Sequence, residues 1–200
     1  MSISKINPRT TVLLVFIIAV AAIRVLFSLQ PALTPVATFT PIGAMALFGS
    51  AYFSSNWKAY LFPLLTLWLG DIILNRFSYY GEWRLLYENF YWTYGAFALM
   101  VLAGKWLLKK VTVKNVVITS LVATGIHWIG TSPGCFTIAN SMYPYTWEGY
   151  WTSLIAAIPY ERNFLIGTLV YSGVLFGLFE WLKIKYSVLK IQGTGLKVQD

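Results

Sequence analysis

The chain has 200 residues, of which 58% are hydrophobic and only 11% charged, with a mean hydropathy of +0.64. Such a composition excludes a soluble domain of this size and describes an all-α polytopic membrane protein. A formal net charge of +8 would suit nucleic acid, but the lysines and arginines follow topology and do not form a binding patch, so no nucleic-acid partner is expected.

Hydropathy predicts a first helix from about Thr11 to Leu29, interrupted only by Arg24. Lys5 and Arg9 precede it, and Ala19-Val20-Ala21 has the small-x-small form of a signal-peptide cleavage site. The apolar run continues past that site to Phe27, so a retained helix is expected. Pro31, Pro35 and Pro41 then make Leu29 to Pro41 a stiff connector that cannot be helical throughout. It reads either as a lid over a cavity or as an ordinary loop.

The second helix, about Gly43 to Phe53, is short for crossing about 30 Å of hydrocarbon. It reads as a short or re-entrant membrane helix. Gly43, Ala46 and Ser50 recur on one stripe, with Ala44, Gly49 and Ala51 beside them. In lipid, small faces let helices pack closely, so this helix is expected in the interior. A third helix follows from about Ala59 to Asn75, then a polar and aromatic loop from Arg76 to Asn89.

The fourth helix spans about Phe90 to Leu108 and ends in the basic cluster Lys105, Lys109, Lys110 and Lys114. The fifth covers about Val116 to Thr131, where Ser132-Pro133-Gly134 is expected to break it and open a loop through Tyr145. Trp147 to Ile158 reads as a short interfacial helix, with Thr146 as N-cap and Pro159 as its stop. The last helix is expected from about Arg162 to Leu182, where Gly173 and Gly177 form a GxxxG that more often packs helices within a protein than joins a partner. The whole reads as six transmembrane helices, the second short, plus one interfacial helix. It forms one integral membrane domain over 1–185 and a polar cytoplasmic tail over 186–200.

Six crossings put both termini on one side. Lys5, Arg9, Lys58, Lys105, Lys109, Lys110, Lys114, Lys183, Lys185, Lys190 and Lys197 all fall there, which makes that side cytoplasmic. The expected location is the bacterial inner membrane.

Unpaired ionisable groups in a bilayer cost several kcal/mol, so their depth is informative. On this topology Arg24, Asp71, Asn75, His127, Thr131, Glu161 and Asn163 gather toward the outer face. Together with Thr40 they are the candidate ligand-binding residues, beneath the aromatic residues Tyr79, Tyr80, Trp83, Tyr143, Tyr145, Trp147, Tyr150 and Trp151. Each has a plainer reading. Asp71 can be a ligand anchor or a structural partner of Arg24, and Arg24 can meet Asp71 or Glu161. Glu161 sits where the start of a helix would favour a carboxylate in any case. Most of the aromatics belong to the membrane-interface belt. One cysteine, Cys135, reads as an unpaired loop residue, and a single histidine gives no metal-ligand spacing. No metal, cofactor or catalytic residue is expected.

The segment F-T-P-I-G-A-M-A-L-F-G at Phe39 to Gly49, Leu69-Gly70-Asp71 ending the third helix, the turn Met142-Tyr143-Pro144, and A-A-I-P-x-x-R-N over Ala156 to Asn163 carry a resemblance. Across nearly the whole chain they resemble a family of uncharacterised small bacterial membrane proteins. In architecture the chain is similar to the substrate-binding S components of energy-coupling-factor (ECF) vitamin transporters. That resemblance implies a lid between helices one and two, a vitamin-sized ligand near the outer face, a separate membrane coupling subunit and cytoplasmic ATPases. The small-residue face departs from it by lying on helix two instead of helix one, and no motif assigns a particular vitamin.

The leading expectation is therefore a small-molecule capture subunit for uptake, with ligand and membrane lipid as partners. A membrane-embedded enzyme on an envelope or lipid-linked substrate, with Asp71, His127 and Glu161 as acid-base candidates, ranks below it for want of a nucleophile or metal motif. A structural or accessory subunit of a larger membrane complex is the third reading.

Overall fold

The structure is a computed structural model, and it describes residues 8–28, 39–137 and 141–186. Among the described residues it is all-helical: α1 (Pro8–Ser28), α2 (Ile42–Tyr52), α3 (Asn56–Leu74) running into a π-helical turn (Asn75–Tyr79), α4 (Phe90–Leu107), α5 (Val113–Phe136) and α6 (Trp147–Lys185). The expected lid lies outside the described residues except for its end at 39–41, and the expected tail does so beyond Tyr186.

The bundle is built around α2. Its 11 residues span only about 16 Å at 1.5 Å per residue, and all but Ala51 are buried. It touches α1, α3, α4, α5 and α6. The small residues make this possible, each toward a different neighbour. A Cβ on Gly43 would collide with Thr168 of α6, one on Gly49 would lie 2.7 Å from Pro63 of α3, and Gly104 of α4 rests against Ser50. Toward the Lys-rich end, Phe48 and Tyr52 pack with Phe176 and Phe179 of α6, and Phe16 of α1 joins Phe48 and Phe179. There Tyr52 donates to Glu180 (2.6 Å) and Lys183 pairs with the same carboxylate at 2.8 Å, while Arg9 donates to the Tyr52 carbonyl.

Three helical stretches, Pro8–Leu26, Asn56–Tyr79 and Trp147–Lys185, are long and apolar enough to cross a membrane. Large apolar side chains such as Ile18, Leu69, Leu99, Leu121, Val170 and Trp181 stand exposed on the flanks, an outer surface suited to lipid.

Several sequence expectations need correction. The interfacial helix and the last helix are one helix of 39 residues, with Pro159 inside it and Thr146 capping it through Gly149 N–H. Likewise α5 runs through Ser132-Pro133-Gly134 to Phe136, which places Cys135 in its last turn and not in a loop. A proline removes one helix donor, and membrane helices tolerate this when neighbours supply partners to the freed carbonyls. Here Tyr150 donates to the Ile129 carbonyl, which Pro133 leaves without its helix donor, and Trp128 donates to the Leu154 carbonyl beside the equivalent position for Pro159. The first bond replaces the donor that Pro133 removes; the second ties α5 to α6 one residue before the carbonyl that Pro159 frees. Glu161 is consequently mid-helix, and the helix-start argument for it fails. Among the described residues Gly173 and Gly177 pack against no helix: a Cβ at either would have nothing within 4 Å.

Candidate functional site

At the end of the bundle opposite the lysine cluster, a cavity of about 260 Å³ opens between the helices. Arg24, Thr40, Asp71, His127 and Glu161 line it, with Tyr79, Tyr87, Thr93 and Tyr160 adding polar groups and Ile42, Leu67, Phe97 and Phe164 an apolar surface.

One wall joins α1 to α3. Arg24 Nη2 lies 2.6 Å from Asp71 Oδ1 and Nη1 donates to the Leu67 carbonyl at 3.2 Å. Gly70 lets this happen, since a Cβ there would sit 2.7 Å from Arg24 Nη1. The second Asp71 oxygen accepts from Tyr94 of α4 at 2.8 Å. Both carboxylate oxygens are therefore occupied, and the question left open by the sequence is answered: Arg24 meets Asp71.

The facing wall joins α5 to α6. His127 Nδ1 lies 2.9 and 3.0 Å from the two Glu161 oxygens. The contact engages Nδ1 alone, and Nε2 makes no hydrogen bond among the described residues. The ring is clamped, stacked on Phe164 at 4.0 Å and 12° and met edge-on by Phe97 at 5.7 Å. The side chains of the two pairs are 7–19% exposed. The Arg24–Asp71 charges are thus weakly screened, and each relies on its partner.

Two further groups matter. Thr40 Oγ1 is buried and makes no hydrogen bond among the described residues. Its backbone is held close to α6, where a Cβ on Gly167 would come within 3.0 Å of the Thr40 N and O. Burial pushes the Tyr87 phenol, in the loop before α4, up to about 12, which keeps it a neutral donor.

Three candidates stand apart from the cavity wall. Asn75 is 1% exposed and donates to the Arg84 carbonyl, tying the π-helical turn to the following loop. Thr131 donates back to the His127 carbonyl, and Asn163 lies off the lining. Ser120 and Thr124, which share the His127 stripe, also donate to their own helix. Of the aromatics placed above the site, Tyr79 lines it. Tyr145, Trp147 and Tyr150 border a separate hollow of about 300 Å³.

Sequence reasoning missed Tyr94, Thr93, Phe97, Tyr160 and Phe164. Phe164, one helical turn beyond Glu161, was legible as its neighbour. On α4 no charge marked the inward face.

A family model matches residues 4–189, a span that takes in both ion pairs and the Thr40 segment. The chain belongs to a family of unknown function, DUF6580. No curated protein and no solved structure matches it. In this DUF6580 protein, then, the geometry of the site is the ground for any functional reading.

Proposed function

We propose that the chain captures a small, vitamin-like molecule from outside a bacterial cytoplasmic membrane and presents it to a separate membrane coupling subunit driven by cytoplasmic ATPases. The observation carrying this reading is the cavity walled by Arg24–Asp71 and His127–Glu161, with the unpartnered Thr40 hydroxyl on its lining. A buried polar atom without a partner costs about 1–3 kcal/mol, a cost that a bound molecule would remove. A volume of about 260 Å³ lies just below the range of roughly 300–1,000 Å³ typical of small-molecule sites, which favours a compact ligand.

The proposed topology has six crossings, α2 contributing a short one, with both termini cytoplasmic beside the lysine-rich end. The proposed likeness to ECF S components rests on this proposed topology. The chain has no G-x-x-x-x-G-K-[ST] phosphate loop, so energy would come from other subunits. Purification from native membranes in mild detergent, with mass spectrometry of bound small molecules and co-purifying proteins, tests it. A vitamin-like compound, or a coupling subunit with ATPases, is the expected outcome. Recovery of the chain empty within a larger stable complex overturns it.

The His127–Glu161 contact favours a second reading, a membrane enzyme in which Nε2 accepts a proton from the substrate. A processed product that disappears in His127→Ala would raise that reading above transport; turnover unchanged by the substitution would end it.

A further inference from the structure

The lysine-rich end carries a second hollow, of about 490 Å³, between the end of α2, the start of α3 and the end of α4. We propose that it seats the headgroup of an anionic phospholipid. The proposal rests on the membrane reading of the bundle and is independent of ligand capture at the opposite end.

Two lysines line the hollow. Lys105 is half-buried in the last turn of α4 and Lys109 follows just beyond it. No aspartate or glutamate lines it, and neither lysine has a hydrogen bond or ion pair among the described residues. Two lysines on one hollow with no facing carboxylate leave a local positive charge that an anion seated there would neutralise.

The other lining groups complement a phosphodiester. Asn56, the first residue of the 19-residue α3, lines the hollow, and the preceding Ser55 makes no side-chain cap. Tyr60 adds a phenol. Leu102, Phe53 and Trp106 supply apolar walls, and Trp106 is 66% exposed at the bundle surface, where tryptophan marks the membrane interface. A free phosphate would use the lysines alone; a lipid uses the lysines and the apolar side together. Basic pockets between membrane helices on the cytoplasmic side bind such headgroups.

The test uses the full chain in nanodiscs of phosphatidylcholine carrying a minor fraction of phosphatidylglycerol. Lipids retained after gentle release are read by native mass spectrometry. The wild-type chain is expected to retain phosphatidylglycerol in preference to phosphatidylcholine. Lys105→Gln/Lys109→Gln should lower that retention roughly twenty-fivefold, about fivefold for each lysine. Lys110→Gln/Lys114→Gln, with the same change in net charge outside the hollow, should leave it within about twofold of wild type. Equal losses in both double variants would reduce the effect to diffuse charge and overturn the site. Displacement of the lipid by millimolar inorganic phosphate would reassign it to a soluble anion. A chain that fails to enter the nanodisc would refute the membrane reading itself, an outcome distinct from entry without lipid selectivity.

Discussion

At the residue scale the cavity is defined by pairs. Asp71 serves Arg24 and Tyr94 at once, so removing its charge strands a guanidinium that is 16% exposed. Asp71→Asn is expected to destabilise the chain by about 3 kcal/mol in detergent, whereas Arg24→Gln/Asp71→Asn should cost less than the sum of the single changes. A double-mutant cycle by thermal unfolding reads the difference. Thr40 gives the opposite pattern. Thr40→Val removes a hydroxyl that nothing in the described fold satisfies, so unliganded stability should hold or rise by about 1 kcal/mol while retention of the small molecule extracted with wild type falls. A loss of stability without a loss of retention would contradict the proposed role. Thr40 was a candidate from sequence and Tyr94 was not, because one tyrosine among many aromatics on α4 does not stand out.

At the element scale the short α2 sets the tolerances. Gly43 lies so close to Thr168 that Gly43→Ala requires α2 and α6 to separate, at a cost of about 1–3 kcal/mol. Gly43→Ala/Thr168→Ala opens that space again and should recover much of the loss, as read from the melting temperature of each variant. The prolines show where helix signals in a sequence lose to neighbours. Pro133 and Pro159 would end helices in water, but Tyr150 and Trp128 serve carbonyls around those positions. Tyr150→Phe should therefore cost about 1 kcal/mol and raise amide exchange near Ile129 and Pro133. Unchanged exchange there would show that the Tyr150 hydroxyl has no part in keeping α5 continuous.

At the scale of the whole molecule, two ends of one bundle carry different chemistry. One holds paired side chains around a cavity; the other holds Lys105 and Lys109, with no paired acid among the described residues, around a hollow at the same end as the Tyr52–Glu180–Lys183 contact. The sequence by itself determined the helical class, the burial of α2 and the collection of Arg24, Thr40, Asp71, His127 and Glu161 toward one end. These follow from local quantities: hydropathy, small-residue spacing and the cost of charge in an apolar medium. Only the tertiary structure decided that Arg24 takes Asp71 and His127 takes Glu161, that Asn75 and Thr131 turn to backbone carbonyls, that α6 is continuous, and that Gly173 and Gly177 face outward. The physical reason is that partner choice depends on which faces of distant helices meet. Residues 47 apart in sequence, such as Arg24 and Asp71, become neighbours only through the packing of α1 on α3, and no local pattern in either helix encodes that contact alone.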